Sequence, residues 1–250
     1  MTRPPHVLIT AGSTREPIDE VRWWTNIFTG RTGLDIALRM LDIADVTLLT
    51  ANAEHARYCH EVRGASGVLT TGFFQTHSDL SRMIPTHLAR RKTQAVFMTA
   101  AVSDYKPTGA YQIMESRRIE GTHPSQYQWI VQDVQARKIP GAHERLAIAA
   151  ERTLKLIDQF RTAWDYRGLL FKFKLEVGIS EKDLLAIAEA SRRQSGADAI
   201  VANTLEMVRG DSPAAWLIDA RGAKRVARGD LPAALRDYTA AHLKRESGLC

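Results

Sequence analysis

Residues 26–33, NIFTGRTG, place an amide side chain, a hydroxyl, an arginine and two glycines within one short stretch. The stretch follows HVLITAG at 6–12, an apolar run ending in glycine that is typical of a buried strand before a turn. Apolar residues at helical spacing come after it, so a helix is predicted to begin near Gly30. Free amides at a helix N-terminus, with glycines that allow close approach, bind anions such as phosphate. The candidate anion-binding residues are Gly12, Ser13, Thr14, Thr29, Gly30, Arg31 and Gly33.

The stretch has the form of neither GxGxxG nor GxxxxGK[ST], so no standard phosphate motif supports it. An ordinary strand, loop and capped helix explains the same residues equally well.

Two further predicted strand ends carry polar residues. In TAAVSDYKP at 99–107, the small Ala100 and Ala101 would let a planar ring approach, and Asp104 could accept hydrogen bonds from ribose hydroxyls. Alternatively Asp104 caps a tight turn. Asn203, in VANTLE, is polar where the pattern expects an apolar residue.

These segments alternate with helices in a way that predicts an α/β fold, Rossmann-like, with a mostly parallel sheet covered by helices on both faces. Ligands of such sheets bind at the carboxyl ends of the strands. Strands are predicted at 6–12, 45–50, 67–74, 94–102, 144–150, 168–176, 197–203 and twice within 214–230. Helices are predicted at 30–44, 77–91 with Ser78 as N-cap, 153–164, 180–196 with Ser180 as N-cap, and 231–246.

One domain over residues 1–250 is expected, because no linker or repeat interrupts the pattern. Residues 107–136 show no clean period, and a stretch of this length between elements is more often a functional flap or an oligomer arm than a passive loop.

Composition narrows the classes of protein. Hydrophobic residues make up 44%, and the charge is 34 − 28 = +6, which suits anionic partners without choosing among them. No apolar run is long enough to span a bilayer and the N-terminus lacks a signal-peptide pattern, so a cytoplasmic protein without a membrane partner is expected. The two cysteines form no CxxC pair. Basic groups lack the interleaved aromatics of RNA-binding motifs, so nucleic acid is not an expected partner.

Taken in order, the segments resemble the phosphopantothenoylcysteine synthetase (phosphopantothenate–cysteine ligase) family of coenzyme A biosynthesis. ITAGSTREPIDEVRWWTN resembles the family's ITAG-x-TREPID-x-VR followed by Asn, and NIFTGRTG its N-x-S-[ST]-G-x-x-G. AAVSDYKP resembles AAV-[AS]-DY, RKIP the short Lys-Ile loop, and LLFKFKLEVGISEKDLL with DAIVANTLE the form of members that lack a flavin-binding decarboxylase half. The resemblance therefore implies a ligase that binds no FMN.

The resemblance also implies a mechanism and roles. A carboxylate attacks the α-phosphate of CTP or ATP with Mg²⁺, giving an acyl-nucleotidylate and pyrophosphate, and the cysteine amine then displaces the nucleotide. Asn26 is expected to hold the acyl group, Arg22 to fix the substrate or its loop, and Lys138 to sit at the reacting phosphates. Asn203 is expected to contact the substrate. The residues expected at the nucleoside and base are Ala100, Ala101, Asp104, Phe171, Lys172, Phe173 and Lys174. Family members form homodimers in which a loop of one subunit closes the other's site, and 107–136 is the candidate.

The sequence departs from the family at three places. Phe28 replaces a serine near the phosphates, and Ser191 and Ser195 replace two lysines of the CTP-using pattern, so CTP or ATP stays an open choice. The connection at 107–136 is also longer than usual. Two alternatives stand beside the ligase. One is an NAD(P)-dependent Rossmann-type reductase, against which the missing GxGxxG and Tyr-x-x-x-Lys speak. The other is a nucleotide-binding homologue that has lost catalysis, which the Phe28 departure keeps open.

Overall fold

Thirteen strands and seven helices are present in the computed structural model of the chain, which describes residues 4–59, 62–121, 123–210 and 212–246. In chain order the strands are β1 (His6–Ala11), β2 (Arg15–Pro17), β3 (Trp23–Thr25), β4 (Asp45–Thr50), β5 (Leu69–Phe73), β6 (Ala95–Met98), β7 (Tyr105–Ile119), β8 (Gln126–Asp133), β9 (Leu146–Arg152), β10 (Leu169–Glu176), β11 (Ala199–Thr204), β12 (Ala214–Asp219) and β13 (Gly222–Ala227). The helices are α1 (Arg31–Met40), α2 (Ala53–Cys59), α3 (His77–Arg90), α4 (Leu156–Gln159), α5 (Glu181–Ser195), α6 (Leu205–Arg209) and α7 (Leu231–Glu246).

Eight strands form the central sheet, in the order β13-β12-β11-β10-β6-β1-β4-β5. The six strands from β11 to β5 run parallel, and β12 and β13 add an antiparallel edge. From β1 the chain first builds β4 and β5 on one side and then crosses to β6 on the other. The strand order therefore reverses between β1 and β6, and a crevice opens at the carboxyl ends of strands at such a point. The predicted α/β fold is confirmed.

Helices cover both faces of this sheet, because alternate residues of each buried strand point to opposite sides. Val7 and Ile9 pack with α1 and α7 on one face, whereas Leu8 packs with α3 and α4 on the other. Further along the second face, Ile200 packs against α5. No helix within the described ranges is both long and apolar enough to cross a membrane.

Two predicted helices differ from the structure in detail. The N-cap of α3 is Thr76 rather than Ser78: its hydroxyl accepts from the amide of Asp79, and the Asp79 carboxylate accepts from the Thr76 amide, which completes a capping box. The helix predicted at 153–164 is only the short α4. It ends because the amides of Trp164 and Tyr166 turn back onto the carbonyls of residues 159 and 160, ahead of a left-handed Asp165. The Ser180 cap of α5 is confirmed.

The stretch 107–136 is the largest difference, since most of it is regular structure. Strands β7 and β8 form a long antiparallel hairpin, and β9 pairs with the other side of β7 to complete a separate three-stranded sheet. The strand predicted at 144–150 therefore exists, but it does not join the parallel sheet. The described residues from 114 to 133 are exposed on both faces of the hairpin, so this part of the sequence has no alternation of buried and exposed positions to reveal the strands.

Candidate active site at the carboxyl edge of the sheet

A cleft of about 270 Å³ opens where the strand order reverses. Its walls come from the carboxyl ends of β1, β6, β10 and β11 and from the first turns of α1 and α7. Three lining residues are cationic, Arg31, Lys174 and Arg228, against one acid, Asp35. The cleft is thus a concave site with a positive balance, which suits an anionic ligand.

The first turn of α1 forms one wall of the cleft, and glycines bring it close to the end of β1. Gly30 is the N-cap with φ +86°, and a Cβ there would lie 2.4 Å from the amide nitrogen of Gly12. A Cβ on Gly33 would lie 2.7 Å from the Cβ of Ala11. Neither glycine places a side chain between the helix and β1, and no side chain caps the first amides of α1. These amides therefore remain available at the cleft, beside Thr29 and Arg31. The predicted anion-binding residues are therefore brought together, Thr14 excepted.

A second cavity of about 220 Å³ adjoins the first on the side of the β2–β3 hairpin. Asn26 lines it, and its side-chain amide donates to the carbonyl of Ala101 at 3.3 Å. Thr25 in turn donates to the carbonyl of Thr14 at 2.8 Å. These bonds fix the loop that carries Asn26 over the ends of β1 and β6, next to the helix start. Ser13 and Arg15 also line this cavity, and Gly12, Phe28 and Thr29 line both cavities.

Arg22 and the Lys-Ile loop meet at a buried carboxylate. Arg22 donates twice to Asp19, at 3.0 and 2.5 Å, and once to the carbonyl of Ile139 at 2.6 Å. The amide of Ile139 donates to the same carboxylate at 3.1 Å. The hydrogen bond from Arg22 is the main cause that holds the pKa of Asp19 well below its ordinary value. Arg22 thus positions the Lys-Ile loop, in which Lys138 is exposed and lines neither cavity.

Several expected contact residues lie elsewhere. Phe171 is fully buried and stacks on Phe97 with ring centroids 4.1 Å apart, so it cannot offer a surface to a base. Lys172 points to the opposite face of the sheet and donates to the carbonyl of Ser191 at 3.1 Å. Burial is the main cause that lowers the pKa of Lys172. Of the stretch 171–174, only Phe173 and Lys174 line the cleft, because they lie nearer the carboxyl end of the strand, whereas residue 171 is buried and Lys172 is held by its bond to Ser191.

Two other expectations also differ. Thr14 is buried and its hydroxyl accepts from the amide of Ser103 at 2.8 Å, so it has a structural contact and lines neither cavity. Asp104 is exposed beyond the end of β6 and does not line the cleft; its carbonyl accepts from the amide of Thr153. Ala100, Ala101 and Asn203 do line the cleft, as expected.

The residues that line the two cavities include two that the sequence reading missed. Asn52 follows β4 and donates to the carbonyl of Thr29 at 3.2 Å, and Arg228 lies just before α7. The sequence does carry a signal for Asn52, because a polar residue just after a buried strand indicates a possible binding position. Arg228 had none, because it comes from an antiparallel edge that only the folded chain brings to the cleft.

The fold and the site together define a class of protein. It is an α/β protein with a cleft suited to anions, lined in part by glycines, at the point where the strand order of the sheet reverses. The family model described as "DNA/pantothenate metabolism flavoprotein C-terminal domain" matches residues 3–118. This match covers the part of the chain that carries most of the motifs, and it agrees with the resemblance that they carry.

Curated relatives carry the same resemblance, and solved structures share the fold. The coenzyme A biosynthesis bifunctional protein CoaBC of Thermococcus kodakarensis is 27% identical over 223 residues, covering 89% of this chain and 47% of that protein. The chain thus spans about half the length of the curated relatives it matches. The DNA/pantothenate metabolism flavoprotein of Streptococcus pneumoniae has the same fold, with a TM-score of 0.71 at 24% identity over 95% of this chain and 99% of that one. A Cab2 mutant in complex with phosphopantothenate-cysteine also shares it, with a TM-score of 0.65 at 17% identity over 97% and 89% of the two chains.

Proposed function

We propose that the chain is a ligase that joins 4′-phosphopantothenate to cysteine, using CTP or ATP, in coenzyme A biosynthesis. The observation that carries the proposal is the junction of the two cavities. A helix start that suits a polyphosphate adjoins a pocket that holds a fixed side-chain amide, and the two meet at Gly12 and Thr29. The similarity to the CoaBC proteins of coenzyme A biosynthesis and the ordered motifs also support the proposal.

The roles follow from charge and position. The triphosphate lies on the amides of α1 with Arg31, Lys174 and Arg228 around it, because a carboxylate can approach a phosphate only when the anions are neutralised. The nucleoside lies between the Ala100–Ala101 backbone and Phe173. The second cavity takes the pantothenate carboxylate.

Two steps complete the reaction. In the first, a carboxylate oxygen bonds to the α-phosphorus, the bond to the β-phosphate oxygen breaks, and pyrophosphate leaves. In the second, the amine of cysteine attacks the acyl carbon, the bond from that carbon to the nucleotide oxygen breaks, and the amine loses a proton. Asn26 polarises the acyl oxygen through its side-chain amide, while Arg22 holds the surrounding loop and Lys138 approaches the reacting phosphates. Asn203, at the rim of the cleft, contacts the substrate.

Mg²⁺ fits this donor set as a partner of the nucleotide. Asp35 is a carboxylate at the wall of the cleft whose Oδ1 accepts from Arg31 at 2.8 Å, so Oδ2 would be the oxygen offered to the ion. Mg²⁺ characteristically combines one or two carboxylates with phosphates and water. No group of three or more His, Cys, Asp or Glu side chains capable of holding an ion occurs in the described part of the chain. The ion would supply charge neutralisation at the phosphates.

Pyrophosphate release tests the proposal directly. Purified protein is incubated with 4′-phosphopantothenate, cysteine and Mg²⁺, and with CTP or ATP in separate reactions. Release that requires phosphopantothenate supports the ligase, and the ratio of the two initial rates assigns the nucleotide. No release with either triphosphate would reject it, and NADPH binding in a parallel fluorescence titration would favour the reductase instead.

We further propose that the chain acts as one ligase domain and forms a homodimer through the β7–β8 hairpin. Large apolar side chains are exposed on both of its faces, including Met114, Tyr127, Trp129, Ile130 and Val131. An apolar surface of this kind on a protruding ribbon is typical of an interface. A second copy that covered it could also cover the exposed Trp23 and Trp24 beside the second cavity.

Sedimentation velocity tests whether the β7–β8 hairpin forms the dimer interface. Trp129 and Val131 lie on one face of β8, so Trp129→Glu with Val131→Glu should dissociate the dimer by placing charge in the interface. Tyr58→Glu changes an equally exposed residue on α2 and serves as the matched control. A double variant that sediments as the wild type does would place the interface elsewhere.

A further inference from the structure

Phe28 stands at the junction of the two cavities. Three described residues line both of them, Gly12, Phe28 and Thr29, and Phe28 alone among the three has a large apolar side chain. The residue is 39% exposed, although a phenyl ring is more stable in the core. An apolar ring therefore borders the point at which the anion-binding helix start and the pocket of Asn26 meet.

The backbone on both sides of the ring is held in place. The hydroxyl of the buried Ser13 donates to the carbonyl of Phe28 at 2.9 Å, and Asn52 donates to the carbonyl of Thr29 at 3.2 Å. Both donors come from the ends of central strands, β1 and β4. Because these bonds fix the backbone at the junction, the Cβ of Phe28 has a defined position between the cavities, and the ring can move only about its own side-chain torsions.

A ring at this point changes the local solvent. A hydroxyl offers water a hydrogen-bond donor and an acceptor, whereas a phenyl ring offers neither and excludes water from the volume it fills. The ligase proposed above forms an acyl-phosphate at this junction. Water can destroy it: the water oxygen bonds to the acyl carbon, the bond from that carbon to the phosphate oxygen breaks, and carboxylate, nucleoside monophosphate and protons result.

We propose that Phe28 is a shielding residue that keeps water from the acyl-nucleotide until the amine of cysteine arrives. The inference rests on the proposed ligase function and assigns to Phe28 the coupling between nucleotide consumption and amide formation. Excluding water from a reactive intermediate is an established use of a closed active site. In this chain the apolar side chain of Phe28 would exclude water at the position where the family pattern has a hydroxyl.

The experiment compares pyrophosphate release with and without cysteine, in the presence of phosphopantothenate and the preferred triphosphate. Wild type should release little beyond one equivalent per site without cysteine. Phe28→Ser and Phe28→Ala should continue to release pyrophosphate, with an uncoupled fraction at least about tenfold higher, which corresponds to about 1.4 kcal/mol in the barrier to hydrolysis. Phe28→Leu keeps apolar bulk and should stay coupled.

The control is Trp23→Ala, which removes an equally exposed aromatic residue of the neighbouring strand β3 that lines neither cavity. It should keep the wild-type ratio. Equal ratios for wild type, Phe28→Ala and Phe28→Leu would overturn the inference, as would uncoupling of Phe28→Leu to the level of Phe28→Ala. Failure of the wild type itself to release pyrophosphate would instead reject the ligase, so the two failures are distinct. If Phe28→Ser does not fold, the Ala and Leu variants carry the test.

Discussion

The two ends of the central sheet differ in how completely their polar side chains are paired. At the amino end, His6 contacts the hydroxyls of Thr93 and Thr47, each at 2.9 Å, and Arg91 pairs with Asp45 at 2.7 Å. At the carboxyl end Arg31 pairs with Asp35 at 2.8 Å and Lys174 with Glu176 at 2.6 Å. Other polar residues that line the cleft, namely Thr32, Asn203 and Arg228, make no side-chain hydrogen bond within the described residues. Buried polar groups that satisfy one another stabilise a fold, whereas polar groups that face an open cleft are free to bind a ligand.

The comparison teaches where a substitution will act. The amino-end network is closed, so changes there should alter stability and leave activity intact. The carboxyl end is open and positively charged, so changes there should alter activity, with stability affected only where packing is also lost. Four predictions test this division.

The largest effect is expected from Gly30→Ala. Its Cβ would lie 2.4 Å from the nitrogen and 2.9 Å from the Cα of Gly12, both backbone atoms, and φ is +86°. The helix start must therefore move away from β1, so nucleotide-dependent pyrophosphate release should fall below detection. Gly178→Ala is the matched control because φ is +68° there but nothing lies within 4 Å. It should cost about 1 kcal/mol of unfolding free energy and no activity. Equal losses of activity in the two variants would mean that the positive φ, and not the contact with Gly12, causes the effect.

Asn26→Asp should have the next largest effect. The carboxylate cannot donate to the carbonyl of Ala101 or polarise an acyl oxygen, and the loss of one such donor typically lowers rate about 10²–10³-fold. Pyrophosphate release in a single turnover should persist while amide formation slows, as rapid-quench assays can show. The melting temperature should stay near that of the wild type because Asn26 is exposed. Undiminished amide formation would reject the role.

The amino end should respond to pH. Burial is the main cause that lowers the pKa of His6 from 6.5 to about 4; Arg91 and His87 lower it further, and Asp45 opposes them. The unfolded chain therefore binds more protons than the folded one between these values. Stability is full above pH 6.5 and is lost as the pH falls towards 4, by up to about 3 kcal/mol.

Urea unfolding at successive pH values measures this loss. His6→Gln should flatten the dependence between pH 6.5 and 4, and His123→Gln, an exposed position, should leave it unchanged. A His6→Gln profile that falls as steeply as that of the wild type would assign the acid sensitivity to other groups.

Thr93→Val should have the smallest effect. It removes the hydroxyl that contacts Nδ1 of His6 and leaves a buried ring nitrogen unsatisfied, a loss of about 1–3 kcal/mol. Turnover at saturating substrates should be unchanged because the site lies at the other end of the sheet. A fall in turnover without a fall in stability would break the division between the two ends.

The elements differ in how far the sequence predicted them. Strand β1 and helix α5 were predicted with nearly their observed bounds, because a buried strand and an amphipathic capped helix each leave a local signal. The β7–β8 hairpin left no such signal, since both of its faces are exposed. In the site, Thr29 to Gly33 were found because a helix start is local, whereas Phe171 was misjudged because alternation gives the face of a strand but not the depth of burial.

The sequence by itself determined the order of elements, the helix start at Gly30 and the resemblance to the ligase family, since these depend on neighbouring residues and on motifs read along the chain. Only the tertiary structure decided that Arg228 and Asn203 share a cleft with Arg31, that Arg22 holds the Lys-Ile loop through Asp19, and that Phe28 lies between two cavities. The physical reason is that such meetings depend on strand order and crossover, which bring together residues far apart in the chain and leave no mark in its local pattern.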